Sequence, residues 1–175
     1  MKKLFLSLSI ISLAASLYLN IPATVNKADE TKAVTTLLDD WHAAAGRADY
    51  TAYFDKIADN GHYMGTDATE NWDKKAFAIW AKPHFDKGKA WNFKALERHV
   101  FLSADGKTAW FDELLNTQMK ICRGCGVLTK EGKNWKIQHY VLSMTVPNEV
   151  ADQATPLKAK YEDAIIEKLK AKNKN

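Results

Sequence analysis

The hydrophobic pattern changes period near residue 90, and that switch limits the possible folds more than any other feature. Trp91, Phe93, Ala95, Glu97, His99 and Phe101 alternate with Asn92, Lys94, Leu96, Arg98, Val100 and Leu102. Alternation of this kind is the mark of a strand with two unlike faces. Asp105-Gly106 and Glu131-Gly132 are turn signals. Lys107 to Cys125 is long enough for a bent or bulged strand, and Trp135 to Met144 reads as a last strand stopped at Pro147. Before the switch the period is helical. Val34, Leu37, Leu38, Trp41 and Ala45 form one apolar stripe, with Gly46 as its cap. Asp49 is placed to cap a short second helix with Tyr50, Tyr53 and Phe54. Asp73 is placed to cap a third with Phe77, Trp80, Ala81 and His84, in which Pro83 predicts a kink or break. The order is three helices, a short extended piece at residues 62–67 among them, then three or four antiparallel strands. This predicts an α+β domain with helices on one face of the sheet.

The ends of the chain read differently. Met1-Lys2-Lys3 followed by the apolar run Leu4 to Leu19 fits a secretory signal and is short for a membrane span. The expected organisation is a signal peptide over 1–28, one domain over 29–150 and a lysine-rich helical tail over 151–175. The expected location is periplasmic or secreted, with no stable membrane span once the signal is removed. The net charge of +4 comes from Lys2, Lys3 and the lysines after Pro156. The domain between them is close to neutral, which argues against a nucleic-acid partner. No nucleotide loop, metal cluster or Ser-His-Asp motif stands out, so neither a cofactor nor a metal is expected.

Several stretches carry a resemblance. They are Leu38-Asp39-Asp40-Trp41-His42 with Ala48-Asp49, and the run from Tyr63 through Gly65-Thr66-Asp67 to Trp72. Lys82-Pro83-His84-Phe85 and Asn134-Trp135-Lys136-Ile137-Gln138-His139-Tyr140 with Ser143 complete the set. Over residues 34–147 the chain resembles the SnoaL-like branch of the nuclear transport factor 2-like (NTF2-like) superfamily. The resemblance implies a cone, a curved sheet wrapped around helices with a pocket at the open end, and a homodimer through the sheet; with the pattern above, the expected fold is three N-terminal helices packed on a curved antiparallel sheet, with a C-terminal helical tail. Members include polyketide cyclases, ketosteroid isomerases, dehydratases and association domains, so the fold does not select a function. The isomerase constellation is not preserved. Trp41 takes the tyrosine place, Gly65 falls near the aspartate place, and Asp67 lies two residues further on.

Candidate site residues follow from the strand pattern. His139 shares a face with Trp135, Ile137, Val141 and Ser143. It reads either as an inward general base or as a buried histidine held by a neighbour. Arg123 faces His139 if the last hairpin centres on Gly132, and a slip of one residue would turn it away. At most one of Asp112 and Glu113 enters the pocket; Asp112, the tentative second catalytic group, otherwise pairs with Arg98 across strands. Asp67 is a pocket-mouth carboxylate or a turn residue. Trp41, Tyr63, Trp80 and Trp110 are core residues or the wall of a pocket for a small, partly apolar ligand. Cys122 and Cys125 lie three apart on or beside a strand, and a disulfide between them would need a bulge. Three functions remain open: ligand binding without turnover, a lyase, isomerase or hydrolase using His139, and an association domain.

Overall fold

The computed structural model describes residues 26–173. The expected signal peptide lies outside the described residues except for its last three. Of these, Asn26 caps the first helix by accepting from the Ala28 amide.

Helix α1 (Lys27–Gly46) buries Val34, Leu38, Trp41, His42, Ala44 and Ala45. Asp29 and Glu30 sit in its first turn, where acids favour the positive end of the helix dipole. Glu30 also pins that end to the sheet, taking a hydrogen bond from the Trp135 indole at 2.8 Å and an ion pair from Lys130. Asp49 caps α2 (Tyr50–Phe54) through the Ala52 amide, and Asp73 caps α3 (Lys74–Asp86) through the Ala76 amide. The left-handed residue after α1 is Ala48, with φ 57°, rather than Gly46. Helix α3 runs on through Pro83 without the expected break.

The sheet is mixed and has six strands: β1 (Ile57–Met64), β2 (Asn71–Asp73), β3 (Lys94–Leu102), β4 (Thr108–Thr117), β5 (Lys120–Glu131) and β6 (Asn134–Met144). Their order is β2-β1-β6-β5-β4-β3. The expectation of a purely antiparallel sheet is corrected here. Strand β1 adds parallel to β6, and β1 and β2 fall between α2 and α3. No local pattern announces a pairing between residues nearly 80 positions apart.

The long strand expected from Lys107 to Cys125 is two strands joined at Gln118-Met119. That turn lacks glycine. Lys120 takes φ 69°, and the Thr117 hydroxyl accepts from the Met119 amide and donates to the Lys120 carbonyl. Gly106 and Gly132 supply the positive φ of the other two hairpins, as Asp105-Gly106 and Glu131-Gly132 suggest.

Two one-residue bulges decide which side chains enter the core. In β3, Ala95 pairs with Leu115 and Glu97 with Leu114, leaving Leu96 over. In β6, Ile137 pairs with Leu128 and His139 with Val127, leaving Gln138 over. Each bulge reverses the faces of everything beyond it. Arg98 therefore turns inward and His99 outward; Tyr140 and Leu142 turn inward and His139 outward.

A core of Val34, Leu38, Trp41, Tyr53, Phe77, Phe111, Leu115, Leu128, Ile137 and Tyr140 fills the space between the helices and the inner face of the sheet. Helix α4 (Ala151–Lys172) follows a short turn of 3-10 helix and buries none of its residues. No helix among the described residues is long and apolar enough to cross a membrane.

Gly126 tests the sheet packing. A Cβ there would stand 2.3 Å from the His139 carbonyl oxygen and 3.0 Å from the Phe111 ring. Backbone cannot yield cheaply, so Gly126→Ala is expected to cost about 1–3 kcal/mol of unfolding free energy in urea. An unchanged transition would contradict this approach of β5 to β6.

Candidate functional site

The interior of the cone contains a buried ionic centre that the strand pattern did not point to. Glu113 on β4 is almost fully buried. Its Oε1 lies 2.8 Å from His42 Nε2 and 3.4 Å from the Tyr140 hydroxyl. A carboxylate only accepts, so both neighbours donate to it. Its Oε2 takes the Arg98 Nε at 2.8 Å. Arg98 Nη2 is also 2.8 Å from Oε2, too poorly aligned to count as a hydrogen bond. Arg98 Nη1 donates to Asp39 at 2.7 Å and to the Thr35 carbonyl at 3.2 Å. The centre thus joins α1, β3, β4 and β6.

Each member is placed by a local device. The Leu96 bulge turns Arg98 inward, and the Gln138 bulge does the same for Tyr140. Gly124 on β5 makes room for the centre. A Cβ there would stand 2.5 Å from the Tyr140 hydroxyl and 2.9 Å from Glu113 Oε1. The glycines of Arg123-Gly124-Cys125-Gly126 thus carry more structure than the cysteines. Cys122 is buried and Cys125 half-buried. They occupy opposite faces of a strand whose pairing with β4 runs without a bulge, so they are not placed to join.

Burial by itself would raise the Glu113 pKa. The hydrogen bond and charge of His42, then the charge of Arg98, outweigh it and hold the carboxyl below its ordinary range. Burial, with the negative charge of Glu113 second, pushes the Tyr140 phenol well up. His42 Nδ1 and the Trp41 indole nitrogen are buried without a hydrogen-bond partner among the described residues. His42 also borders an outer cleft of about 390 Å³ with Asp39, Ala43, Asn92, Phe93, Lys94 and Ala95.

A separate pocket of about 180 Å³ lies between β1, β2, α3, the segment before β3 and the turn at Gln118-Met119. Five of its lining rings form a chain: Tyr63, Trp72, Trp80, Trp91 and Phe93, with neighbouring centroids 4.8–6.4 Å apart. Phe77 is the hub beneath four of them, 4.0 Å from Tyr63 and 5.7–6.0 Å from the three tryptophans. Met119 and Leu142 complete the apolar lining, and Thr66, Glu70 and Gln118 are its polar members.

The expected site residues scatter. Tyr63 and Trp80 line this pocket. Trp41 is sealed in the core, stacked on Tyr53 at 4.9 Å and edge-on to Tyr140 at 4.7 Å. Trp110 lies on the outer sheet face, stacked with Phe101 at 5.9 Å. His139 is turned outward by the Gln138 bulge, which corrects its inward assignment. Arg123 is exposed and pairs with Ser143, not His139. Asp112 also faces out; its partner is His99, at 2.9 Å, because β3 and β4 sit one residue from the expected register. Glu113 is the member of that pair that enters the cone. Asp67 is exposed, accepting from the Thr69 amide and hydroxyl in a turn. It borders a hollow of about 620 Å³ beside α4.

Removing the hub of the ionic centre leaves His42 without its acceptor and Arg98 with Asp39 as its remaining anion. Glu113→Ala is therefore expected to cost about 3–5 kcal/mol of unfolding free energy at neutral pH. The Glu113 pKa is lower in the folded than in the unfolded chain. Its contribution is therefore complete above the ordinary glutamate value of 4.5 and is lost as pH falls through the folded value. Urea unfolding from pH 7 to pH 3 should show a shallower acid loss in Glu113→Gln than in the native chain. Parallel curves would contradict this reading.

Comparison with known proteins agrees with this architecture. Residues 34–147 match the model of the SnoaL-like domain. An NTF2-like protein of unknown function from Pseudomonas putida KT2440 superposes with a TM-score of 0.59 at 16% identity, covering 70% of this chain and 91% of its own. A candidate dehydratase of the NTF2-like family from Streptomyces avermitilis gives 0.58 at 13% identity, covering 69% and 99%. A candidate Ca/calmodulin-dependent kinase II association domain from Exiguobacterium sibiricum gives 0.53 at 14% identity, covering 68% and 95%. No curated protein matches the sequence significantly. At these identities the solved structures speak for the fold, and the matched domain for the family: the chain belongs to the SnoaL-like domain family and has the NTF2-like fold.

Proposed function

We propose that this protein binds a small, partly apolar organic molecule at the open end of its cone, without turnover. The observation that carries the reading is the chain of five rings around a pocket of about 180 Å³. Drug-sized pockets run to about 300–1,000 Å³, so the ligand is a single ring or its equivalent. Apolar walls supply affinity, and Thr66, Glu70 and Gln118 supply orientation. The ionic centre argues for binding over chemistry in this pocket, because none of its members lines it. Export remains part of the proposal, on the strength of Lys2, Lys3 and the run from Leu4 to Leu19. Pairing through the sheet is supported by the exposed Phe101–Trp110 stack and the exposed Ile121, and by the association-domain neighbour.

One observation favours an enzymatic second reading. Glu113 fixes the His42 ring by its Nε2, so in the neutral form of the ring Nδ1 is the position that could take a proton from a substrate. In that reading His42 replaces His139 as the base, and the outer cleft beside it is the reaction site.

A small aromatic probe separates the two. The 19F resonance of 4-fluorophenol is expected to shift and broaden with the native protein, with a Kd on the order of 1 mM for so few atoms. Met119→Trp, which fills the pocket, should abolish the effect, while His42→Gln should leave it intact. Binding that survives Met119→Trp and disappears with His42→Gln would move the site to the cleft.

A further inference from the structure

We propose that the ligand of the aromatic pocket is a small organic cation, of the alkylammonium class. This rests on the binding reading above and adds a charge to it. Of the residues that line the pocket, Glu70 alone carries a formal charge. Lysine, arginine and histidine are all missing from that lining, although the chain as a whole is basic. A neutral ligand would leave the charge of that half-buried carboxylate unmatched inside the pocket, and an anionic one would be repelled by it. A cation neutralises it and gains from the rings as well, since the π faces of tryptophan and tyrosine attract positive charge.

The carboxylate is held in place by its loop. Gly65 has no Cβ, and the Glu70 side chain occupies that space; a Cβ there would stand 2.1 Å from Oε2. The Gly65 amide donates to the Glu70 carbonyl at 3.0 Å and closes the loop. Oε2 accepts from the Asp67 amide at 3.2 Å, while Oε1 accepts no hydrogen bond among the described residues. One oxygen is thus anchored and the other is open to a ligand. Tyr63 senses the same charge: burial chiefly, and then Glu70, pushes its phenol pKa up.

The pocket volume suits a trimethylammonium head with a short substituent. Choline and its uncharged carbon analogue, 3,3-dimethylbutan-1-ol, have nearly the same shape and differ in charge. Both would be titrated into the 15N-labelled protein while the indole resonances of Trp72, Trp80 and Trp91 are followed. Choline is expected to bind at least about tenfold more tightly than the alcohol. Glu70→Gln keeps an acceptor for the Asp67 amide and should remove that advantage, bringing choline down to the affinity of the alcohol. Equal binding of the two probes, or an advantage that survives Glu70→Gln, would overturn the cation assignment and leave the apolar pocket standing. Indole resonances that respond to neither probe would overturn the pocket and the cation together.

Discussion

The pairing of the Glu113 carboxylate inside the cone is the constraint on which the rest of the structure depends. A carboxylate so deeply buried is costly unless its charge and lone pairs are met. His42 from α1, Arg98 from β3 and Tyr140 from β6 meet them. Each partner reaches the carboxylate only in one arrangement of the elements. If β3 slipped by one residue against β4, Arg98 would face solvent and Glu113 Oε2 would lose its cation. The centre therefore selects the register of the sheet and the seat of the first helix together. Glu30 repeats the device at the other end of α1 by tying it to Lys130 and Trp135.

Sealing the charges in this way leaves the other half of the interior to the aromatic residues. Phe77 on α3 gathers Tyr63 from β1, Trp72 from β2, Trp80 from its own helix and Trp91 from the segment before β3. Rings in such offset contacts stabilise each other beyond the area they bury, by about 0.5–1.5 kcal/mol per pair. The same packing leaves a wall that is apolar except at Thr66, Glu70 and Gln118. The two halves of the interior thus divide the work. The ionic half fixes the fold, and the aromatic half, with one carboxylate at its edge, is the part we propose to hold a small molecule.

Much of the fold is legible in the sequence because its signals are local. The caps at Asp49 and Asp73 and the turns at Gly106 and Gly132 need only their near neighbours. The site is less legible because its placement is decided by single-residue irregularities. Leu96 and Gln138 carry no mark of a bulge, yet each reverses the face of the residues after it, which moves His139 out and brings Arg98 in. The turn at Gln118-Met119 is hidden for a different reason. A threonine side chain, not a glycine, stabilises it, so β4 and β5 read as one strand. The one sequence signal for the buried centre lies in the glycines. Gly124 pairs with Glu113 and Gly126 with Phe111, and a strand that gives up two side chains in three positions is making room for something large across from it.

The most direct test of this account is the titration of the glutamate side-chain carboxyls by 13C NMR. An ionic hub requires Glu113 to stay ionised after the exposed glutamates have taken up protons. The Glu113 carbon resonance is expected to hold its position as pH falls through 4.5 and to move only at lower pH or with unfolding. A Glu113 carbon that titrates with the exposed glutamates, or above them, would mean that His42 and Arg98 do not compensate its burial. The centre described here would then not be what holds the cone together.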